Sequence, residues 1–235
     1  MKKVVELTRE TVNKYLEDMR NRINAHKERP VSERTMHIAN GNNKVPCRNC
    51  AKASGISCAN CTGKCDTTCY DIKVCVRRGD SVKNARAENQ SIFDDDRDLW
   101  FQNIENACTD GTRYKAFRYN EGGEIEDTDE LNRLNLVAEH RPNHRIWTYT
   151  KMDELLTSWA IDTGDNWNEN FSPMMSRYGL NDPIHNPLHL PEFLTLMPGE
   201  VPPAGYMECP GDCGICLDEG IGCPYHMNVY THLHN

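Results

Sequence analysis

The chain has 235 residues, 38% of them hydrophobic, with a formal net charge of -8 and a mean hydropathy of -0.73. That length suits one large domain or two small ones, with a modest core that metal staples or a partner must help. The negative balance argues against a general nucleic-acid binder, whose affinity comes from neutralising phosphates, and no stretch approaches the roughly 20 apolar residues of a membrane span.

The opening MKKVVELTRETVNKYLEDMRNR has too few apolar residues for a signal h-region. A soluble protein of a reducing compartment is therefore expected, where clustered cysteines are metal or redox sites before they are disulfides.

Taken in chain order, residues 8–26 place Val12, Tyr15, Leu16, Met19 and Ile23 on one helix face, with Thr8 as N-cap and Pro30 as a stop. Thr35 to Ala39 (TMHIA) reads as a short first strand. It leads into a cysteine-rich segment with few apolar groups, which cannot bury a core of its own, so metal must organise it. Helical spacing follows from Ser81 to Cys108. Tyr114 to Tyr119 then reads as a strand, Thr128 to His140 as a helix capped by Asp127 or Thr128, Arg145 to Thr150 as a strand and Met152 to Ala160 as a helix. Phe171 to Ser176 is a weaker strand because Pro173 interrupts it, and Glu192 to Met197 and Asn228 to His232 are further strand candidates.

Strands alternating with short helices indicate βαβ units and a parallel sheet. The units are too few for an eight-fold barrel. The expected fold is α/β, a partial (open) parallel β/α barrel with cysteine-rich metal-binding loops. Its divisions are an N-terminal helix (1–34), the partial barrel (35–200, including the cysteine-rich loop 44–80), and a C-terminal cysteine knuckle with the last strand (201–235).

Seven of the twelve cysteines stand at 47, 50, 58, 61, 65, 69 and 75, and four more at 209, 213, 216 and 223. Thiolates this dense point to soft-metal chemistry. Cys108 stands apart, in a predicted helix, as a small buried hydrophobe. Between Lys44 and Gln90 nine Lys/Arg face four Asp/Glu, an excess that offsets bound thiolates or attracts an anionic ligand.

The order of parts carries more than any one of them. A strand, a cysteine loop and a long helix are followed by a second strand ending in Gly122-Gly123-Glu124, within FRYNEGGEIED. Ligands of parallel α/β folds gather at the C-terminal ends of the strands. With CTGKCDTTCY at 61–70, this arrangement resembles the radical S-adenosylmethionine (SAM) superfamily. The resemblance implies a [4Fe-4S] cluster on Cys61, Cys65 and Cys69, SAM held by Gly122, Gly123 and Glu124, and reductive cleavage of SAM to modify an unknown substrate. It also implies an electron donor of flavodoxin or ferredoxin type. The spacing departs from the family's C-x3-C-x2-C: here it is C-x3-C-x3-C, with Tyr70 after the last cysteine.

More narrowly, the chain is similar to a phage- and plasmid-borne cysteine-rich family of unestablished function. The resemblance rests on Cys69-Tyr70, Arg118 with Gly122-Gly123-Glu124, Tyr149-Thr150-Lys151 and Cys209 to Cys223. It implies a cytoplasmic protein of a bacterium or a phage-infected cell.

Lys151 and Ser176, near strand ends, are further candidate cofactor contacts. Cys47, Cys50 and Cys58 read as staples of the loop, and Cys75 is a further candidate ligand. Alternatively Cys47-x2-Cys50 and Cys58-x2-Cys61 form one small zinc site, leaving Cys65, Cys69 and Cys75 as the trio. Cys209, Cys213, Cys216 and Cys223 make a closed four-thiolate set, for structural zinc or a second Fe–S cluster. Arg118 is expected to pair with Glu124 or Asp127, and Trp147 and Tyr149 to serve the core. The competing reading is a zinc- or Fe–S-stabilised binding module, with nucleic acid as a partner through Lys44 to Arg86. A third is a cluster-bearing electron carrier.

Overall fold

The computed structural model describes residues 7–41, 44–58, 67–110, 114–164 and 166–233. Helix α1 (Arg9–Lys27) starts at the expected cap, with Thr8 Oγ1 accepting the Thr11 amide. Its stripe of Val12, Tyr15, Met19 and Ile23 is buried against Ile72, Cys75 and Ala87. Those partners lie on α2 (Tyr70–Arg78) and α3 (Asp80–Asp95). The end of the cysteine-rich segment therefore shares a core with α1 and α3 and does not bury one of its own. Ile72 and Cys75, three residues apart, share the face toward α1 on a helix too short to stand out in a polar context.

Thr35 to Ala39 is not a strand. Side chains of α3 take its amides: Thr35 N donates to Glu88 Oε1 (3.1 Å) and His37 N to Asn89 Oδ1 (2.7 Å). Ala39 alone makes an isolated antiparallel bridge to Asn49. The first strand of the sheet is β1 (Arg48–Asn49), inside the cysteine-rich segment and flanked by Cys47 and Cys50.

The predicted 81–108 helix is two helices. Asp96 leaves the helical conformation (φ -150°) and caps α4 (Arg97–Ala107), its Oδ1 accepting the Leu99 amide at 2.8 Å. Next come β2 (Ala116–Tyr119), α5 (Thr128–His140) with Asp127 as its cap, β3 (Arg145–Thr150) and α6 (Asp153–Thr163). Strand β4 (Phe171–Tyr178) runs straight through Pro173, which pairs with Thr148; its missing N–H falls on the β5 side, where pairing starts only at Met175, so the strand continues. The chain closes with β5 (Glu192–Leu196), β6 (Met207–Glu208), α7 (Cys213–Glu219) and β7 (Val229–His232).

All seven strands join one sheet in the order β1-β2-β3-β4-β5-β7-β6, and every neighbouring pair is parallel. The fold is α/β, as expected, and the sheet is open, with β1 and β6 at its edges. No described helix is long and apolar enough to cross a membrane.

Strand side chains alternate between faces, and the two faces have different coverings. Phe117, Tyr119, Ile146, Phe171 and Met175 pack with Trp100, Ile104, Leu131, Leu134, Leu156 and Trp159 from α4, α5 and α6. The alternate residues Ala116, Trp147, Met174 and Val229 meet Cys47 and Cys223 instead, with Tyr149, Phe193, Met207, Cys209 and Leu217 around them. The face opposite α4, α5 and α6 is thus covered by the C-terminal knuckle, with Leu217 of α7 packed on it.

Candidate metal centre

Cys47 and Cys50 flank a two-residue strand, and a separation of three sends their side chains to opposite faces. Cys50 is fully buried in the helix-side core, where burial pushes its thiol up to about 12. Cys47 lies on the other face beside Trp147 and Cys223; burial first, then the neighbouring Cys213, push it up to about 12. The structure does not bring this CxxC pair together. Cys75 is in the α1–α2–α3 cluster, its Sγ 3.9 Å from Asp71 Oδ2, raised to about 11 by burial and then by that carboxylate. Cys69 borders the same cluster at the start of α2, and Cys58 is 4.0 Å from the Ser57 hydroxyl. Cys61 and Cys65 lie outside the described residues.

The glycine turn after β2 is seated in the cysteine loop. Glu121 N donates to Cys50 O (2.9 Å), Lys52 N to Gly122 O (3.0 Å), Gly123 N to Ser54 Oγ (2.8 Å) and Glu124 N to Ser57 Oγ (3.0 Å). A Cβ on Gly122 would stand 2.2 Å from Asp71 Oδ2, so Asp71 fills the space a side chain or ligand would need there. Asp71 is itself held by Ser54 Oγ (2.9 Å) and Arg86 Nη2 (3.0 Å).

Glu124, Lys151 and Ser176 are brought together at the ends of β2, β3 and β4, but on one another. Glu124 is buried, and its two oxygens accept the Ile125 and Lys151 amides, each at 2.9 Å. Burial, the largest influence, raises its pKa, while bonds from Thr150, Lys151 and Ile125 pull it back. Lys151 Nζ donates to Ser176 O (3.0 Å) and Asp182 Oδ2 (3.3 Å).

Lys52, three residues after its strand, was not singled out by the sequence reading. It is fully buried, with Nζ 3.0 Å from Glu126 Oε1 and 2.8 Å from Glu130 Oε1. Tyr119 donates to the same Glu130 oxygen at 2.6 Å and accepts from Trp100 Nε1 at 3.0 Å. A lone lysine in a polar loop carries no signal of this; only the pairing of loop and helix creates it.

The knuckle gathers the other thiols. Cys209 N bonds Tyr230 O and Cys213 N bonds Lys44 O, both at 2.7 Å, tying the knuckle to β7 and to the approach to β1. Gly222 takes φ +75°, and a Cβ there would lie 2.9 Å from Cys216 Sγ, so glycine is required on both counts. Burial and then the neighbouring thiols raise Cys216 to about 11. Cys223 goes to about 12 under the same burial, with Tyr149 as its hydrogen-bond partner. No disulfide joins any two of Cys47, Cys50, Cys75, Cys108, Cys209, Cys213, Cys216 and Cys223. Among the described residues no three His, Cys, Asp or Glu side chains converge at metal-ligand spacing.

Arg118 does not pair with Glu124 or Asp127. It sits on the knuckle side of β2, its guanidinium carbon 5.2 Å from the Tyr149 ring centre, among Glu121, Cys213 and Cys47. The alternation Phe117-Arg118-Tyr119, with both aromatics in the helix-side core, is the sequence signal for that orientation.

These residues fit the two implied groups unequally. The knuckle's donor set is all thiol, as zinc or Fe–S ligation requires. The space beside Gly122 is taken by Asp71, and Glu124's oxygens are held by backbone amides, so this turn does not fit the SAM contacts carried over to it.

No curated protein and no solved structure matches the chain. The gene product 88 family model, of phage type, matches residues 17–192, a span that ends before the knuckle. That is more than half of the chain, and the protein belongs to the gene product 88 family.

Proposed function

We propose that this protein is a metal–thiolate protein in which Cys209, Cys213, Cys216 and Cys223 hold an iron–sulfur cluster or a zinc ion against the face of the sheet opposite α4, α5 and α6. The observation that carries this reading is the knuckle itself. Cys209, Cys213 and Cys216 stand close enough to Cys223 to raise its pKa, on a seven-residue helix and the turns around it. Thiols of a metal-dependent unit reach ligand spacing as the metal binds, because binding and folding are coupled there. The metal supplies cross-linking of β6, α7 and the approach to β7, and as a cluster it would also carry electrons.

Iron, zinc and acid-labile sulfide analysis of protein purified without oxygen tests this. One centre per chain is expected, lost when the knuckle cysteines are replaced. Full-length, folded protein that retains neither metal in any preparation overturns it.

The finer reading, a radical SAM enzyme, is favoured by one observation. The cysteine loop and the Gly122–Glu124 turn meet at the C-terminal ends of β1 and β2. The internal commitments of that turn count against it, so no SAM-dependent step is derived. Release of 5′-deoxyadenosine after anaerobic reconstitution with iron, sulfide, dithionite and SAM would support this reading, and a fully iron-loaded protein that binds no SAM would end it. Nucleic-acid binding through residues 44–86 would have to use other basic side chains of that segment, because Lys52, Lys83 and Arg86 are engaged by Glu126 and Glu130, by Asp18 and by Asp71.

A further inference from the structure

In this acidic chain, carboxylates answer cations on most elements. Arg22, Arg34, Lys83, Arg86, Arg97 and Arg133 each stand within 3.0 Å of one. Helix α2 differs. Its inner side is Asp71, Ile72, Val74 and Cys75, all buried. Asp71 is its only acid, and it is spent on Ser54 and Arg86. The helix also carries Lys73, Arg77 and Arg78, none with a carboxylate partner among the described residues. Arg77 and Arg78 are exposed, and so is Tyr70 at the start of the helix, at 66%.

Tyr70, Lys73 and Arg77 stand at i, i+3 and i+7, so they form one stripe along two turns, with Arg78 at its end. The helix dipole favours cations in the last turn, which accounts for Arg77 and Arg78 but not for Lys73 or Tyr70. Lys73 and Arg77 are like charges at i, i+4, a pairing that weakens a helix. A partner that neutralises both cations and covers the ring removes both penalties. Such a partner carries repeated negative charge and a flat apolar face. A single nucleic-acid strand offers both, as phosphates and as unstacked bases. A duplex keeps its bases stacked on one another, and an acidic peptide brings charge without a face for the ring.

We infer that the outer face of α2 binds single-stranded nucleic acid, with Lys73, Arg77 and Arg78 on phosphates and Tyr70 stacked on a base. The inference goes beyond the metal–thiolate reading and does not depend on it. Helix α2 packs in the cluster of α1 and α3, whereas the knuckle packs on the sheet. Phosphate contacts and stacking are blind to sequence, so the face takes a strand of any composition. Its footprint is one short helix, which reconciles local binding with a chain whose net charge is -8.

The test follows the anisotropy of a fluorescein-labelled oligothymidylate with the full chain, purified without oxygen, across a salt series. Three phosphate contacts predict a slope of about -2 in log affinity against log salt. Lys73→Ala and Arg77→Ala should each reduce that slope by about 0.7. Tyr70→Ala should weaken binding about 10-fold and leave the slope alone, while Tyr70→Phe keeps the affinity. Lys115→Ala, an exposed cation just before β2, should change nothing. All these side chains except Lys73 are exposed, so circular dichroism should match the native chain. No binding at low salt, a signal indifferent to salt, or α2 variants that bind as the native chain does overturns the inference. Duplex DNA or polyglutamate that competes as well as the single strand, with Tyr70→Ala neutral, also overturns it and leaves a purely electrostatic face. Metal content should be the same in every α2 variant, so this inference and the metal–thiolate reading fail separately.

Discussion

The two cysteine-rich regions of this chain share a composition and differ in what holds them. The first, from Cys47 to Cys75, is held to a large extent by ordinary protein chemistry. Lys52 is paired with two glutamates, Asp71 fills the space beside Gly122, and Ile72 and Cys75 are buried under α1. The second, from Cys209 to Cys223, has one short helix, three positive-φ glycines at its turns and thiols among its packed side chains. Cysteine density alone therefore does not tell a metal site from a packed one; the surroundings of each thiol do.

Chelation should separate the regions most strongly. Structural thiolate sites contribute roughly 10 kcal/mol or more to the folding of the unit they staple. Removing metal should abolish amide-exchange protection across 207–232 while α1, α2 and α3 keep theirs. Equal loss in both regions would erase the contrast. Next in size is Lys52→Met, which leaves Glu130 buried without its cation and should lower stability by about 3–5 kcal/mol in urea unfolding. Gly122→Ala forces a methyl group into the Asp71 carboxylate and should cost about 1–3 kcal/mol, with no effect on metal content.

Acid should weaken the attachment of residues 29–37 to α3, beside the first region, through Glu88. Burial is the largest single influence on this carboxyl and opposes ionisation, but bonds from His37, Thr35 and Arg29 outweigh it and hold the pKa at about 2, below its ordinary 4.5. The unfolded chain takes up the proton first, so Glu88's stabilisation is complete above pH 4.5 and is lost as pH falls through about 2. Unfolding midpoints should drop across that window, and Glu88→Gln should flatten the slope. The smallest effect is expected for Asp212→Ala. It removes the side-chain cap of α7, where Oδ1 accepts the Gly214 amide at 2.9 Å. About 1 kcal/mol should be lost, visible as faster local exchange in the knuckle alone.

Much of the scaffold was legible in the sequence. Helix α5 and strand β3 fall on the residues their periodicity indicates, and Thr8 and Asp127 cap as their side chains suggest. Elements whose contacts are distant were not. Thr35 to Ala39 has strand-like residues, yet Glu88 and Asn89 take its amides. The two-residue strands β1 and β6 are too short for any periodic signal. At the site, the sequence named Cys209, Cys213, Cys216 and Cys223 as one set; they share the knuckle, but among the described residues no three ligating side chains converge at metal spacing. It could not show that Glu124 would accept the Lys151 amide while Lys151 Nζ turns to Ser176 O and Asp182, since that depends on where strand ends meet.

By itself the sequence determined the alternation of strands and helices, and hence a parallel α/β sheet, because period and capping are local properties of the chain. Which thiol faces which neighbour was decided only by tertiary structure. A two-residue strand sends Cys47 and Cys50 to opposite faces, and sheet register sets Arg118 beside Cys47 and Cys213. Those are relations between segments far apart in the chain, and no local pattern encodes them.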